Sequence, residues 1–335
     1  MEAMVIRQHG GIEQIQLERN YPDPVPESGE VVVKVGATSL NYHDLFTLKG
    51  MPGIKVPMPM IMGIDVAGTI IKLGSGVIGW KVGDRVLIDP IHREHFRLLG
   101  EMYEGGLAQQ VKVPCHQLVR LPDAISFEAA AALPVAYGTA YRMMLARGGI
   151  KEGERVLILG ASGGVGTCCV QLAKMVGAEV VACASTEAKL ERLRAIGADH
   201  TINYVENDFM SEVYSLFGKP RVNGDRNGVD VVVNFTGGDT WVKSLRCLHR
   251  HGRMLTCGAT AGYDPQTDIR FIWTFELNIL GSNAWEREDL LDLLRLTESG
   301  KIQPVIDHVF PLHQARDAFA KLEKRDVCGK VLVRP

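Results

Sequence analysis

Apolar and polar positions follow two different rhythms along this chain. Up to about residue 125, short runs of β-branched residues are broken by Gly and Pro. Glu30-Val31-Val32-Val33-Lys34-Val35 and Gly68-Thr69-Ile70-Ile71-Lys72-Leu73 predict strands. Gly74-Ser75-Gly76 and Val82-Gly83-Asp84-Arg85 predict turns leading into further strands. Short strands separated by turns point to a β-rich, barrel-like unit. From Ser126-Phe127-Glu128 to residue 148 the chain becomes Ala-rich and predicts helix. After residue 155 strands and helices alternate. Residues 155–159 form a buried-type strand, 164–176 a helix with small residues on its inner side, 179–184 a second strand and 187–195 a charged amphipathic helix, with further apolar strands at 229–234 and 253–257. Alternation at this length builds βαβ units around a parallel sheet. Residues 289–299, 309–310, 315–323 and 330–333 return to mixed helix and strand, so the fold class is α/β.

Composition narrows the function classes. A chain of 335 residues, 46% hydrophobic and 23% charged, has the makings of two soluble domains that need no disulfide or metal to fold. The net charge of −2 offers no basic excess for nucleic acid or an anionic membrane. Glycine is the outlier, at 36 residues. With so many apolar residues beside it, this reads as tight turns and close backbone approaches. The N-terminal MEAMVIRQHGG lacks a charged region followed by an apolar one, so no signal peptide is expected. No apolar run approaches the ~18 residues of a membrane span. The seven cysteines are odd in number and never spaced C-x-x-C, and Cys168 adjoins Cys169. A reduced, cytoplasmic protein is the expectation.

The strongest local signal is Val156-Leu157-Ile158-Leu159-Gly160-Ala161-Ser162-Gly163-Gly164-Val165-Gly166, between a predicted strand and a predicted helix. That context suits a dinucleotide fingerprint. Gly163 would let backbone approach a pyrophosphate, Gly166 would let the helix pack closely on the strand, and the N–H groups opening the helix would hold phosphate oxygens. Ala161 stands at the first glycine position, and the competing reading is a ligand-free strand-to-helix turn. The second strand ends in Cys183-Ala184-Ser185-Thr186. NAD enzymes commonly carry an acidic residue there. Ser185 is small and neutral, and Lys189 follows within a helical turn, which favours NADPH. Lys189 also suits a solvated face shared with Glu187, Glu191 and Arg192.

The whole chain resembles the medium-chain dehydrogenase/reductase superfamily. The landmarks are Ser39-Leu40-Asn41-Tyr42-His43-Asp44, Gly63-Ile64-Asp65-Val66-Ala67-Gly68, Val82-Gly83-Asp84-Arg85-Val86, Gly105-Gly106-Leu107-Ala108, the glycine turn and residues 193–204. The resemblance implies a GroES-like domain over 1–125, completed by 285–335, and a Rossmann domain with a doubly wound parallel sheet over 126–284. Zinc-dependent members bind a catalytic zinc through Cys, the His of a G-H-E motif and often a second Cys. Here those slots hold Asn41, Ile64 and about Val135, and the four-Cys structural lobe is replaced by a loop from Asp89 to Gly105. An aliphatic side chain offers zinc no lone pair, so no catalytic metal is expected. His92 and His95 in that loop, with Cys115 and His116, form no compact ligand set. The pattern is similar to the zinc-free quinone oxidoreductase-like branch.

That resemblance implies Asn41 near nicotinamide and substrate, with Thr139 on the nicotinamide ring. Ser162, Gly163, Gly164, Val165 and Gly166 would lie at the pyrophosphate, and Ser185, Lys189 and Tyr204 around the 2′-phosphate. Phe235, Thr236, Cys257, Gly258 and Ala259 would line the cofactor groove, and Ser282, Asn283 and Ala284 would lie near the nicotinamide amide. Tyr204 also suits packing at a strand end, and Cys257 reads as a groove-lining residue rather than a nucleophile.

Without a Lewis acid, acceptors that spread incoming charge are favoured. Quinones and α,β-unsaturated carbonyls do so, and the protein's main task is positioning. Asn41 could bond the developing oxyanion. Water, Tyr42 or His43 could supply the proton, and His43 also suits a structural histidine. Met58, Met60 and Met62, with Phe46 and Phe271-Ile272-Trp273, suit either an apolar substrate pocket or core packing. Trp273 and Phe275 lie where relatives pair strands, implying a homodimer. A small-molecule electron acceptor is the expected partner. The competing functions are an alcohol dehydrogenase or aldehyde reductase of the same superfamily, and a non-catalytic NADPH-binding protein.

Overall fold

The computed structural model describes every residue except Ile54 and Asp225. The chain forms two compact units, Met1–Ala136 with Leu290–Pro335, and Tyr137–Asp289.

The first unit is organised by the strand Glu30–Leu40. Its Val31-Val32-Val33 run is buried on both faces, as a run with no polar alternation requires. It pairs antiparallel with Asp65–Leu73, Gln110–Pro114 and the C-terminal strand Lys330–Arg334. The last pairing sets Val331 opposite Leu40 and Val333 opposite Thr38, which returns Lys330 to the carboxyl end of Glu30–Leu40. Val331, Leu332 and Val333 are all buried, so hydrophobic burial anchors that tail. Met60 and Met62 lie in the core with Met4, Ile6, Leu40 and Leu45, and Met58 packs against them. Of the two readings of the Met alternation, core packing is the one observed.

Residues 126–136, expected with the second domain, fold onto the first unit. Ser126 Oγ caps the helix Phe127–Ala131 by accepting from Ala129 N–H at 3.1 Å. The Phe127 ring lies so close to Gly36 that a Cβ there would come within 2.4 Å of it. The Arg85 guanidinium lies over the same ring, 4.8 Å from its centroid. Apolar contact, rather than the change in local rhythm, therefore sets the boundary. The same helical stretch winds more widely, as π-helix, over Leu133–Gly138 and Arg142–Arg147.

The second unit is a six-stranded parallel sheet in the order His200–Asn203, Glu179–Ala184, Arg155–Ile158, Val229–Val233, Leu248–Thr256, Asn278–Gly281. This is the doubly wound order of nucleotide-binding sheets. Its switch point lies between Arg155–Ile158 and Val229–Val233, where ligands bind at carboxyl strand ends. Residues 269–274, including Trp273, form a helix, and the edge strand comes after them. Among the described residues no helix is long and apolar enough to cross a membrane.

Candidate active site

In the first unit, Asn41 ends the central strand and precedes the helix Tyr42–Lys49. Its N–H donates to Asp44 Oδ2 at 2.7 Å, tying the helix start to the strand end. Its side chain is held at both polar atoms. Nδ2 donates to Asp65 Oδ2 at 2.8 Å, and Lys330 Nζ donates to Oδ1. Lys330 can only donate, so the amide orientation follows from chemistry. One Nδ2–H remains beyond the bond to Asp65. Lys330 also donates to Leu40 O at 3.0 Å and lies 3.4 Å from Asp65 Oδ2. Asp65 Oδ1 accepts from Val135 N–H at 3.0 Å. The four side chains Asn41, Asp44, Asp65 and Lys330 are all buried. Burial pushes the Asp65 carboxyl up and the Lys330 ammonium down, each opposed by its neighbour's charge.

The slots that carry zinc ligands in the zinc-dependent proteins this chain resembles are thus filled by an engaged carboxamide, by the fully buried hydrocarbon of Ile64 and by the hydrocarbon side chain of Val135. These residues do not fit a catalytic zinc. No group of three His, Cys, Asp or Glu among the described residues is arranged to hold a metal.

His43 follows on the first helical turn. Its Nε2 is 2.5 Å from Glu101 Oε2, and Thr47 Oγ1 donates to the same oxygen at 3.2 Å. Burial opposes a charged ring, but the hydrogen bond and charge of Glu101, with the charge of Asp44, raise His43 above its ordinary value. Tyr42 sits edge-on to Phe46 at 5.4 Å, against the core, with the Arg325 guanidinium over its ring. Its hydroxyl has no partner among the described residues. In the replacement loop, His92 stacks on His95 and meets His116 edge-on, both at 4.6 Å, and its Nδ1 is buried without a partner among the described residues. The loop's other product is Glu101 beside His43.

In the second unit, Gly160 turns with φ of +64° after the first strand, and Gly163 precedes the helix Gly164–Met175. A Cβ on Gly166 would lie 2.4 Å from Gly160 O, so this glycine is required for close packing. A Cβ on Gly163 would meet only Gly160 O at 3.6 Å. The space above Gly163 is open, and the N–H groups of Gly164, Val165 and Gly166 have no partner among the described residues. Unpartnered donors at a helix start fit a dinucleotide pyrophosphate. Ser162 lies in the turn beside them.

Phe235 packs beside this turn, its ring 3.1 Å from where a Gly160 Cβ would stand. The loop bearing Phe235 and Thr236 is shaped by Asn234, which accepts from Thr236 N–H at 3.0 Å and Gly237 N–H at 2.9 Å and donates to Ser244 Oγ at 2.9 Å. Cys257, Gly258 and Ala259 follow the next strand, and Ser282 N–H donates to Thr256 O at 2.9 Å. Burial pushes the Cys257 thiol up to about 12, which leaves it uncharged and unsuited to nucleophilic attack near neutral pH. Ser282 Oγ is buried without a partner among the described residues. Asn283 and Ala284 follow, and Ala284 holds the left-handed region at φ +53°. Trp285 packs against Gly138, beside Thr139. At the far strand ends, Tyr204 N–H donates to Ala184 O at 3.1 Å, bringing Tyr204, 50% exposed, next to Ser185. Thr186 caps the helix that carries Lys189. The nearest acidic side chain on that helix, Glu187, pairs with Arg194 at 2.7 Å.

Reading the sequence missed Asp65 and Lys330 as site residues, and it missed Glu101 and Asn234 altogether. Lys330 could have been suspected as a charge opening the all-apolar Val331-Leu332-Val333, and Asp65 from its place in the altered G-H-E motif. Glu101 carries no motif.

Residues 27–123 match the alcohol dehydrogenase GroES-like domain, and residues 164–299 match the zinc-binding dehydrogenase family. The acryloyl-coenzyme A reductase of Sulfurisphaera tokodaii is 34% identical, with 100% of both chains covered. The 2-methylene-furan-3-one reductase of Solanum lycopersicum is 34% identical, covering 100% of this chain and 79% of that protein. A solved NAD-dependent alcohol dehydrogenase is 34% identical and superposes with a TM-score of 0.92 over 100% of both chains.

Proposed function

The chain belongs to the medium-chain dehydrogenase/reductase superfamily of oxidoreductases, and on that premise we propose that it reduces α,β-unsaturated carbonyl compounds or quinones with NADPH and without a bound zinc ion. The observation that carries this reading is the engaged carboxamide of Asn41 in the first zinc-ligand slot, beside the aliphatic Ile64 and Val135. The names of two relatives, acting on an acryloyl thioester and a methylene-furanone, support a conjugated acceptor.

When bound, the reduced nicotinamide supplies hydride to the conjugated carbon of the acceptor. The chain's residues do the rest. The N–H groups of Gly164, Val165 and Gly166 hold the pyrophosphate. Ser185, Lys189 and Tyr204 accept a 2′-phosphate, since no carboxylate stands at the ribose position to repel it. Phe235 and Cys257–Ala259 would line the groove, Thr139 would lie at the nicotinamide ring, and the unpartnered Ser282 Oγ would offer its hydroxyl to the carboxamide. The remaining Nδ2–H of Asn41 donates to the oxygen on which negative charge develops. That donor is held in place before reaction by Asp65 and Lys330, so no reorganisation is needed as charge develops. The free edge strand Asn278–Gly281 and the exposed Trp273 support a homodimer.

The test is a spectrophotometric screen of NADPH and NADH against quinones, enones, acryloyl-type thioesters and aldehydes, with and without chelator, and metal analysis of the same sample. NADPH oxidation by conjugated acceptors that survives chelation is expected. Stoichiometric zinc with aldehyde reduction would establish the alcohol dehydrogenase reading instead. Tight NADPH binding with no turnover would establish a binding protein.

A further inference from the structure

We propose that His43 and Glu101 act as a dyad, His43 delivering the proton that completes reduction and Glu101 serving as the positioning residue that holds its ring. This inference rests on the acceptor chemistry proposed above. Glu101 is nearly sealed from water, with its side chain 3% exposed, whereas His43 is 30% exposed. The carboxylate therefore faces inward and the imidazole outward. Thr47 Oγ1 donates to the same carboxylate oxygen at 3.2 Å and so fixes its position. Because Nε2 is bound to a carboxylate, the neutral ring keeps its hydrogen on Nε2. That leaves Nδ1, which has no partner among the described residues, to gain and lose the proton. This division of labour, a buried acid orienting a histidine whose second nitrogen does the work, is chemically sound.

The step balances. Hydride addition at the β-carbon sends the π pair onto the α-carbon and carbonyl oxygen. The Nδ1–H bond of the His43 imidazolium breaks, a C–H bond forms at the α-carbon, and the ring is left neutral with Nε2–H toward Glu101. Solvent restores the proton. The groups facing His43 are Glu101 and Asp44, both of which favour its charged form against the effect of burial. The acid form is present below the raised His43 value and is lost as pH rises through it, so kcat falls on the alkaline side.

The experiment compares wild type, Glu101→Gln and His43→Gln on the full chain. The first readout is an NMR titration of the His43 ring without cofactor. Glu101→Gln should lower its midpoint by about one pH unit, as loss of an adjacent carboxylate does. The second is the kcat–pH profile with an α-substituted enone. The alkaline limb should move down by the same amount in Glu101→Gln, and His43→Gln should lower kcat by about 10²–10³-fold with little change in KM. The third is the product formed in D2O. Wild type should place deuterium on one face of the α-carbon, and His43→Gln should lose that selectivity. If His43→Gln does not fold, the shifted limb in Glu101→Gln decides the matter. A wild type active on the enone, with kcat and facial selectivity kept in His43→Gln, overturns this inference alone. A wild type inactive on every conjugated acceptor overturns both this inference and the proposed function.

Discussion

Replacing Lys330 by Met removes the only cation, among the described residues, in contact with the fully buried Asp65 carboxylate. Three donations vanish together: to Asn41 Oδ1, to Leu40 O at 3.0 Å and to Asp65 Oδ2 at 3.4 Å. Asp65 keeps its bonds from Asn41 Nδ2 and Val135 N–H, so it is left hydrogen-bonded but without a counter-charge. Breaking one side of a buried pair costs about 3–5 kcal/mol, chiefly through the stranded charge. Met conserves most of the Lys stem's volume, so lost packing contributes little. The sign with pH follows from the same source. Without Lys330, Asp65 is pushed further up, and an unfolded chain binds that proton less tightly than the folded one. The variant therefore loses more stability at pH 8 than at pH 5. Lys330→Met with Asp65→Asn removes both charges and should recover about half the loss, a coupling of more than 1 kcal/mol. The assay is urea unfolding at both pH values, reading the transition of the first unit, since two units need not unfold together. Under the proposed function, Lys330→Met also frees the Asn41 amide, and kcat falls while the Kd for NADPH holds. A loss under about 1 kcal/mol, independent of pH and additive with Asp65→Asn, would refute the reading of this network.

The two glycines of the turn should behave oppositely. The Cβ that Gly163→Val adds meets only Gly160 O at 3.6 Å, so the protein should melt normally yet lose NADPH binding by calorimetry, whereas the Cβ of Gly166→Ala, 2.4 Å from the same oxygen, should cost about 1–3 kcal/mol in stability. Ser185→Asp should shift the ratio of Kd values from NADPH toward NADH by at least about tenfold, as like charges at the ribose repel; an unchanged ratio counts against the 2′-phosphate assignment. Asp44 is pushed up to about 7 from its ordinary 3.8 by burial, so its neutral form favours the folded state at low pH and that contribution is lost as pH rises from 3.8 toward about 7. Asp44→Asn should accordingly flatten the fall in urea midpoint across that window, and a fall of wild-type steepness would exclude Asp44 as its source.

The glycine turn, the strand–helix alternation after residue 155 and the aliphatic residues in the zinc slots are legible because each is local. A turn's φ requirement, a strand's burial or a side chain's lack of a lone pair is a property of a few consecutive residues. The boundary near residue 126 was less legible. Phe127 belongs to the first unit because Gly36 leaves room for its ring, and nothing near residue 127 records that. Met60 and Met62 illustrate the same limit, since their alternation suits a pocket wall as well as a core.

Sequence alone therefore determined the class of fold, the glycine turn between strand and helix and the absence of ordinary zinc ligands at the altered motifs. Only the folded chain decided what occupies that place. Lys330 lies 289 positions from Asn41, and Glu101 lies 58 from His43. Such pairs form when strand register and apolar burial carry distant segments together. Burial then makes each charge depend on its partner, a dependence that side-chain type and spacing do not encode.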